Sequence, residues 1–267
     1  MNNGIEKDFN LGGSVERALS GKYELKAGAV LKEAWEHTIK NFLSFSPSIL
    51  LLIVAQVVIF YVALKLQLGD LSIITDILTK PEEVNPGIVQ AIFIANFSYE
   101  VVSAPVVAGV SLMAMSHAAG LSTKPRHIAK GLQFTIPVII ATIFSLLAQL
   151  VAGMILPFFS MYLSLAFSNA VLLICEKQIP PMQSLLLSLR AVNKKIFVLA
   201  GIYLLVVFMF ILGAVFYGLG LILVIPFYFH IKGIIYRDMF GIRLKVVTTD
   251  GPSDEDDNGG NSQVFNA

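Results

Sequence analysis

An all-α, polytopic membrane protein is the fold class this chain predicts, and three observations predict it. Hydrophobic residues make up 56% of the 267 positions and charged residues only 14%, with a mean hydropathy of +0.76. A soluble domain carries about 25% charged residues, so these charges are too few to coat a globule in water. Several apolar runs reach or approach the length of about 20 residues that carries a helix across a bilayer. The alternating segments of about 10 residues that mark an outer-membrane barrel do not occur.

Taken in order, residues 1–25 are polar, contain glycine and are mixed in charge, and they predict a flexible cytoplasmic leader. No apolar stretch in the first 40 or so residues resembles a cleavable signal, so the first membrane segment is expected to direct insertion. The membrane domain is expected over residues 26–242. It opens with an amphipathic segment in which Leu31, Trp35, Ile39 and Phe42 recur at helical spacing, opposite Lys32, Glu33, Glu36 and Lys40. Trp35 is the only tryptophan and suits the headgroup region, so a helix lying on the membrane is predicted. A soluble helix docked on a cytoplasmic partner is the alternative.

The first span is expected at 45–66, with Gln56 as its strongly polar interior side chain. An acidic connection follows, in which 71–78 could form a short surface helix. The second span, at 87–115, contains Asn96, Tyr99, Glu100, Ser103 and Pro105. A basic segment at 116–131 leads to a third span at 134–156, and Pro157 starts a fourth that ends near Cys175. No charge separates these two, which implies a tight hairpin. The segment at 176–197 combines Glu176 and Lys177 with Ile179-Pro180-Pro181, and then Arg190, Lys194 and Lys195. A fifth span at 196–215 and a sixth ending near Ile231 follow, joined by a turn that Gly213, Gly218 and Gly220 permit. Residues 243–267, with Asp254, Glu255, Asp256 and Asp257, predict an acidic disordered tail.

Orientation comes from the basic residues. Seventeen of the nineteen Lys and Arg fall before the first span, in the two later polar segments, or after the sixth span; Lys65 and Lys80 are the exceptions. The positive-inside rule then places both termini in the cytoplasm. The expected architecture is six transmembrane helices as three helical hairpins, each preceded by an amphipathic cytoplasmic elbow. Internal duplication of this unit is suggested by the three elbows and by Pro105 and Pro226 at comparable places in returning spans.

Leu156-Pro-Phe-Phe, the run to Leu172-Leu-Ile-Cys-Glu-Lys177, and Ser188-Leu-Arg-Ala-Val-Asn-Lys-Lys195 form one pattern, and Gly233-Ile-Ile-Tyr-Arg-Asp-Met-Phe-Gly241 closes it. It resembles a broad group of uncharacterised bacterial inner-membrane proteins. That group is similar to the membrane domain found beside some glycerophosphodiester phosphodiesterases. The resemblance implies a bacterial inner (cytoplasmic) membrane location. It brings no active site, because no stretch of this chain corresponds to the soluble phosphodiesterase domain.

Glu100 is the strongest single candidate for function. A carboxylate deep in a span costs at least a few kcal/mol, and Asn96, Ser103 and Val107 share its helix face by spacing. A proton- or cation-binding carboxylate in a transport path is one reading. Polar glue between helices, or a shallower position, are the others. Ser145 with Gln149, and Ser164 with Ser168 beside Asn169, are pairs that suit interhelical hydrogen bonds. Gly153, Ala200 and Gly201 suggest close helix contacts.

Lys124, Arg126, Lys130, Arg190, Lys194 and Lys195 could contact anionic lipid headgroups, each worth about 1 kcal/mol near such a surface, or could serve only to set topology. The four histidines, His37, His117, His127 and His230, have no metal-ligand spacing. Cys175 is the single cysteine, expected to be an apolar filler. Catalytic motifs are absent from the sequence, and no cofactor or nucleic acid is implied. Expected partners are membrane lipids, with other membrane proteins or a second copy as further candidates. A non-enzymatic protein of the cell envelope acting through lipid or protein contacts is the leading expectation. A small transporter or channel with an intramembrane carboxylate is the alternative.

Overall fold

The computed structural model describes residues 6–69, 86–215 and 217–247, and these are almost entirely helical. A strand β1 (Glu6–Leu11) and helices α1 (Val15–Ser20), α2 (Ala27–Lys40), α3 (Phe42–Leu68) and α4 (Pro86–Ala118) come first. A 3-10 segment (Pro125–Phe134) then precedes α5 (Thr135–Ile155), α6 (Pro157–Ala166) and α7 (Ala170–Lys177). The chain continues through α8 (Pro181–Asn193), α9 (Ile196–Val215) and α10 (Leu221–Phe240) to β2 (Ile242–Val247).

Among the described residues, five helical runs are long and apolar enough to cross a membrane: Phe42–Leu68, Pro86–Ala118, Pro125–Ile155, Pro157–Lys177 and Ile196–Val215. The sixth expected span corresponds to α10. It has 20 residues but carries Lys232, Arg237 and Asp238, and so stands apart from the five. The expected helix at 71–78 lies outside the described residues.

The core is built around α4. Of its most apolar stretch 72% is buried, against 17% in α3 and 11% in Pro125–Ile155, so α4 is the helix the others surround. The sequence allows this because small residues, Ala104, Ala108, Gly109, Ser111 and Ala114, crowd its second half and let backbones approach. A Cβ on Gly109 would fall 2.0 Å from the carbonyl oxygen of Ile128, and one on Gly131 would fall 2.2 Å from the Pro105 carbonyl oxygen. The 3-10 segment is therefore seated directly on the α4 backbone. Gly233 of α10 meets Ala114 in the same way, its Cβ position 2.8 Å from the alanine backbone. Close approach thus falls at Gly109, Gly131 and Gly233, whereas Gly201 has open space around it. Among the three glycines and alanines expected to make such contacts, Gly153 makes only an ordinary one, with Ser160.

Helix α2 lies against α10 through Val30, Ala34 and Thr38, a stripe at four-residue spacing. Its larger apolar side chains, Trp35 and Ile39, stay 45% and 53% exposed, so the bulky face points away from the protein. Trp35 also sets its ring edge-on to Phe227, 6.1 Å between centroids.

The expected leader and the start of the expected tail need correction. Residues 6–25 are folded, not a flexible leader: β1 pairs antiparallel with β2, Glu6 opposite Val247 and Leu11 opposite Ile242. Tyr23 is buried and donates a hydrogen bond to the Ala191 carbonyl at 2.9 Å, which anchors the leader on α8. The β2 partner lies in residues expected to be tail; beyond 247 the acidic segment is outside the described residues.

The fourth span, expected from Pro157 to near Cys175, is present as Pro157–Lys177, and it is built of two helices broken between Ala166 and Ala170. Ser188 of α8 repairs the break, since its hydroxyl donates to the Ala166 carbonyl at 2.6 Å and accepts from the Asn169 N–H at 3.2 Å. Backbone groups left over inside a protein must find partners, and Ser188 supplies both a donor and an acceptor.

Glu176 and Lys177, the charged pair that begins the segment at 176–197, form a clamp. The Glu176 carboxylate accepts from the Tyr236 hydroxyl at 2.7 Å and the Arg243 N–H at 3.0 Å, while Lys177 donates to the Gly241 carbonyl at 3.0 Å. They hold the end of α10 and the start of β2.

Candidate functional site

Helix α5 runs back along α4, and between them, closed at one end by α6, lies an open groove of about 390 Å³. Phe93, Asn96, Phe97 and Glu100 recur at three- and four-residue intervals on α4 and form one wall. Leu146, Gln149, Leu150, Gly153 and Met154 of α5 form the other, with Ser160 of α6 near the α5–α6 junction. Because the helices are antiparallel, Glu100 and Gln149 lie at the inner end and Phe93, Met154 and Ser160 at the junction end.

The Glu100 side chain is half-buried, and no described residue donates a hydrogen bond or ion pair to it. Asn96, one turn earlier, is exposed on the same wall. The Gln149 amide nitrogen is engaged by its own helix, donating to the Ser145 hydroxyl at 2.9 Å and carbonyl at 3.2 Å. The expected group of Asn96, Glu100 and Ser103 therefore separates. Ser103, about 60° round the helix from Glu100, is buried against α3 and receives a hydrogen bond from the Gln56 amide at 3.4 Å. Three residues along a helix turn the side chain far enough to face a different neighbour.

Of the basic residues, Lys124, Arg126 and Lys130 are exposed on the 3-10 segment, and Arg190 and Lys194 are exposed around the end of α8. Lys195 is half-buried, with its ammonium 5.6 Å from the centre of the Tyr23 ring, where it serves the leader. Burial pushes the Tyr23 phenol up to about 12, consistent with a neutral ring held against α8.

Two networks had no signal in the sequence. Thr38, His230, His117 and Thr123 form a continuous buried chain: Thr38 Oγ1 to His230 Nδ1 at 2.9 Å, His230 Nε2 to His117 Nδ1 at 2.8 Å, and His117 Nε2 to Thr123 Oγ1 at 2.8 Å. Phe45 of α3 covers it, its ring 4.8 Å from that of His230 and 5.3 Å from that of His117. Residues 113 positions apart meet here only through the fold. At the end of α10, Arg237 forms a bidentate pair with Glu33 of α2, caps the last turn of α4 by donating to the Ala118 carbonyl at 2.9 Å, and binds Asp238 at 2.8 Å. Among the described residues no group of three or more His, Cys, Asp or Glu side chains is placed to hold a metal ion. Cys175 is buried in the core beside Ile174.

No family model matches the chain, and no curated protein or solved structure does either. The reading of function therefore rests on the groove and its surroundings.

Proposed function

We propose that this is a non-enzymatic integral protein of a bacterial inner membrane that binds and passes a ligand along the groove beside Glu100, as a small transporter or channel. In this reading α10 is the sixth span. The three hairpins are α3 with α4, α5 with α6–α7, and α9 with α10, and their elbows are α2, the 3-10 segment and α8. Both termini lie in the cytoplasm, the placement that the distribution of Lys and Arg favours. The resemblance to the membrane domain found beside glycerophosphodiester phosphodiesterases fits a membrane module without its own active site.

The observation that carries the proposal is the Glu100 carboxyl, which no described residue caps, opening into a groove with Asn96 and Gln149 on its walls. A residue serving only as glue would be expected to meet a partner on a neighbouring helix, as Ser103 does with Gln56. A polar site at the junction of hairpins, near the middle of the spans, is where transporters place their ligands. The test is ion or proton flux into vesicles reconstituted with the full chain, followed with a pH- or potential-sensitive dye. Flux that is present in the native protein and at least about tenfold slower in Glu100→Gln, a change of about 1.4 kcal/mol in the barrier, is expected. Equal flux in the two proteins would remove the transport reading.

A second reading, an envelope protein acting through lipid or protein contacts, is favoured by the exposed Lys124, Arg126, Lys130, Arg190 and Lys194. Vesicle binding that prefers anionic lipid, and loses the preference when Arg190 and Lys194 are both changed to Gln, would support it.

A further inference from the structure

We propose that the groove beside Glu100 takes a lipophilic organic cation, a molecule with a delocalised or quaternary positive charge on an apolar body, which reaches the groove sideways from the bilayer. This rests on the reading of the groove as a ligand site.

Charge is the first argument. Among the described residues Glu100 is the one ionisable side chain lining the groove, and no Lys or Arg lines it, so an anion finds no complement there and a cation does. The form of the cation follows from the walls. Phe93, Phe97, Leu146, Leu150 and Met154 provide most of the lining, and aromatic faces attract a desolvated organic cation. A hard inorganic cation such as calcium needs six to eight oxygen ligands. The groove offers one carboxyl, two amides and one hydroxyl, spread along two turns of helix and beyond.

Size and access agree. A volume of about 390 Å³ lies within the roughly 300–1,000 Å³ of small-molecule sites. Of the lining residues, Phe93 is 48% and Met154 78% exposed, so the opening faces the same surroundings as the apolar outer faces of α4 and α5. A ligand dissolved in hydrocarbon can slide in without crossing a polar barrier.

The test uses tetraphenylphosphonium with the purified full-length protein in detergent, by equilibrium dialysis, and tetraphenylborate as a control of the same shape and opposite charge. Saturable phosphonium binding is expected, with no binding of the borate. Glu100→Gln should weaken it by at least about tenfold. Phe97→Ala, which leaves the charge in place, should weaken it about two- to tenfold. Equal binding of both probes, or binding unchanged in both variants, overturns the proposal. So does efficient disulfide cross-linking of Asn96→Cys between copies that abolishes phosphonium binding without the probe present, because a second copy then fills the groove. If vesicle flux depends on Glu100 and the phosphonium does not bind, the ligand class is wrong and the transport reading stands; if neither depends on Glu100, both fall.

Discussion

His117 Nδ1 lies 2.8 Å from His230 Nε2, and the contact has a direction. The Thr38 hydroxyl donates to the Ala34 carbonyl at 2.7 Å, so its oxygen accepts from His230 Nδ1–H. His230 Nε2 then accepts from His117 Nδ1–H, and His117 Nε2 accepts from the Thr123 hydroxyl. Each ring donates through Nδ1 and accepts through Nε2. The chain ties α2, α4, α10 and the loop after α4 into one unit.

Replacing His230 with Leu leaves the His117 Nδ1–H without an acceptor and the Thr38 oxygen, which still donates to the Ala34 carbonyl, without a donor in a buried site. Each unsatisfied group costs about 1–3 kcal/mol. The melting temperature in detergent is expected to fall clearly, and to fall less in His230→Gln, whose amide keeps a donor and an acceptor. Equal losses in the two variants would deny the relay a role in stability.

The break between α6 and α7 depends on one hydroxyl. Ser188→Ala strands the Ala166 carbonyl and the Asn169 N–H together, so a loss of about 1–3 kcal/mol is expected. Amide exchange at Asn169 should accelerate more than at Leu173, which keeps its bond to the Asn169 carbonyl at 3.0 Å.

Glycine positions give a paired test of packing. Gly131→Ala forces a Cβ to within 2.2 Å of the Gly109 nitrogen, and backbone cannot yield as a flexible side chain does. A cost of about 1–3 kcal/mol or more is expected. Gly201→Ala meets nothing within 4 Å and should leave the melting temperature unchanged or raise it slightly, since alanine is the better helix former.

Glu33 gives a pH dependence with a definite sign. Burial raises its carboxyl, but the hydrogen bond and charge of Arg237, aided by His37, outweigh burial and leave it below its ordinary value of 4.5. A carboxyl held below its unfolded value stabilises the fold above that value and loses the contribution as pH falls through the folded one. Glu33→Gln is therefore expected to melt lower than the native protein near neutral pH. The gap should close as pH falls below about 4.5, which melting curves across that range will measure.

The helical membrane class and the places where apolar runs begin and end were legible because hydropathy is a local property. Trp35 and Ile39 were placed on the apolar face of an amphipathic helix by spacing alone, and the structure leaves both exposed. Glu100 was legible as costly for the same reason. What spacing could not tell was which neighbour each polar side chain meets. Ser103 shares a helical face with Glu100 on a wheel, yet it faces Gln56 while Glu100 opens on α5.

Composition, hydropathy and the order of apolar runs thus determined the class of this protein and most of its helix positions, since lipid and water act on each segment separately. Tertiary structure alone decided that α4 is the core helix, that Ser188 mends a broken helix, and that β1 closes on β2. It alone assembled His117 with His230, and Glu100 with Gln149. These depend on which backbones can approach one another, and that is set by pairs such as Gly109 with Gly131, which no local pattern connects.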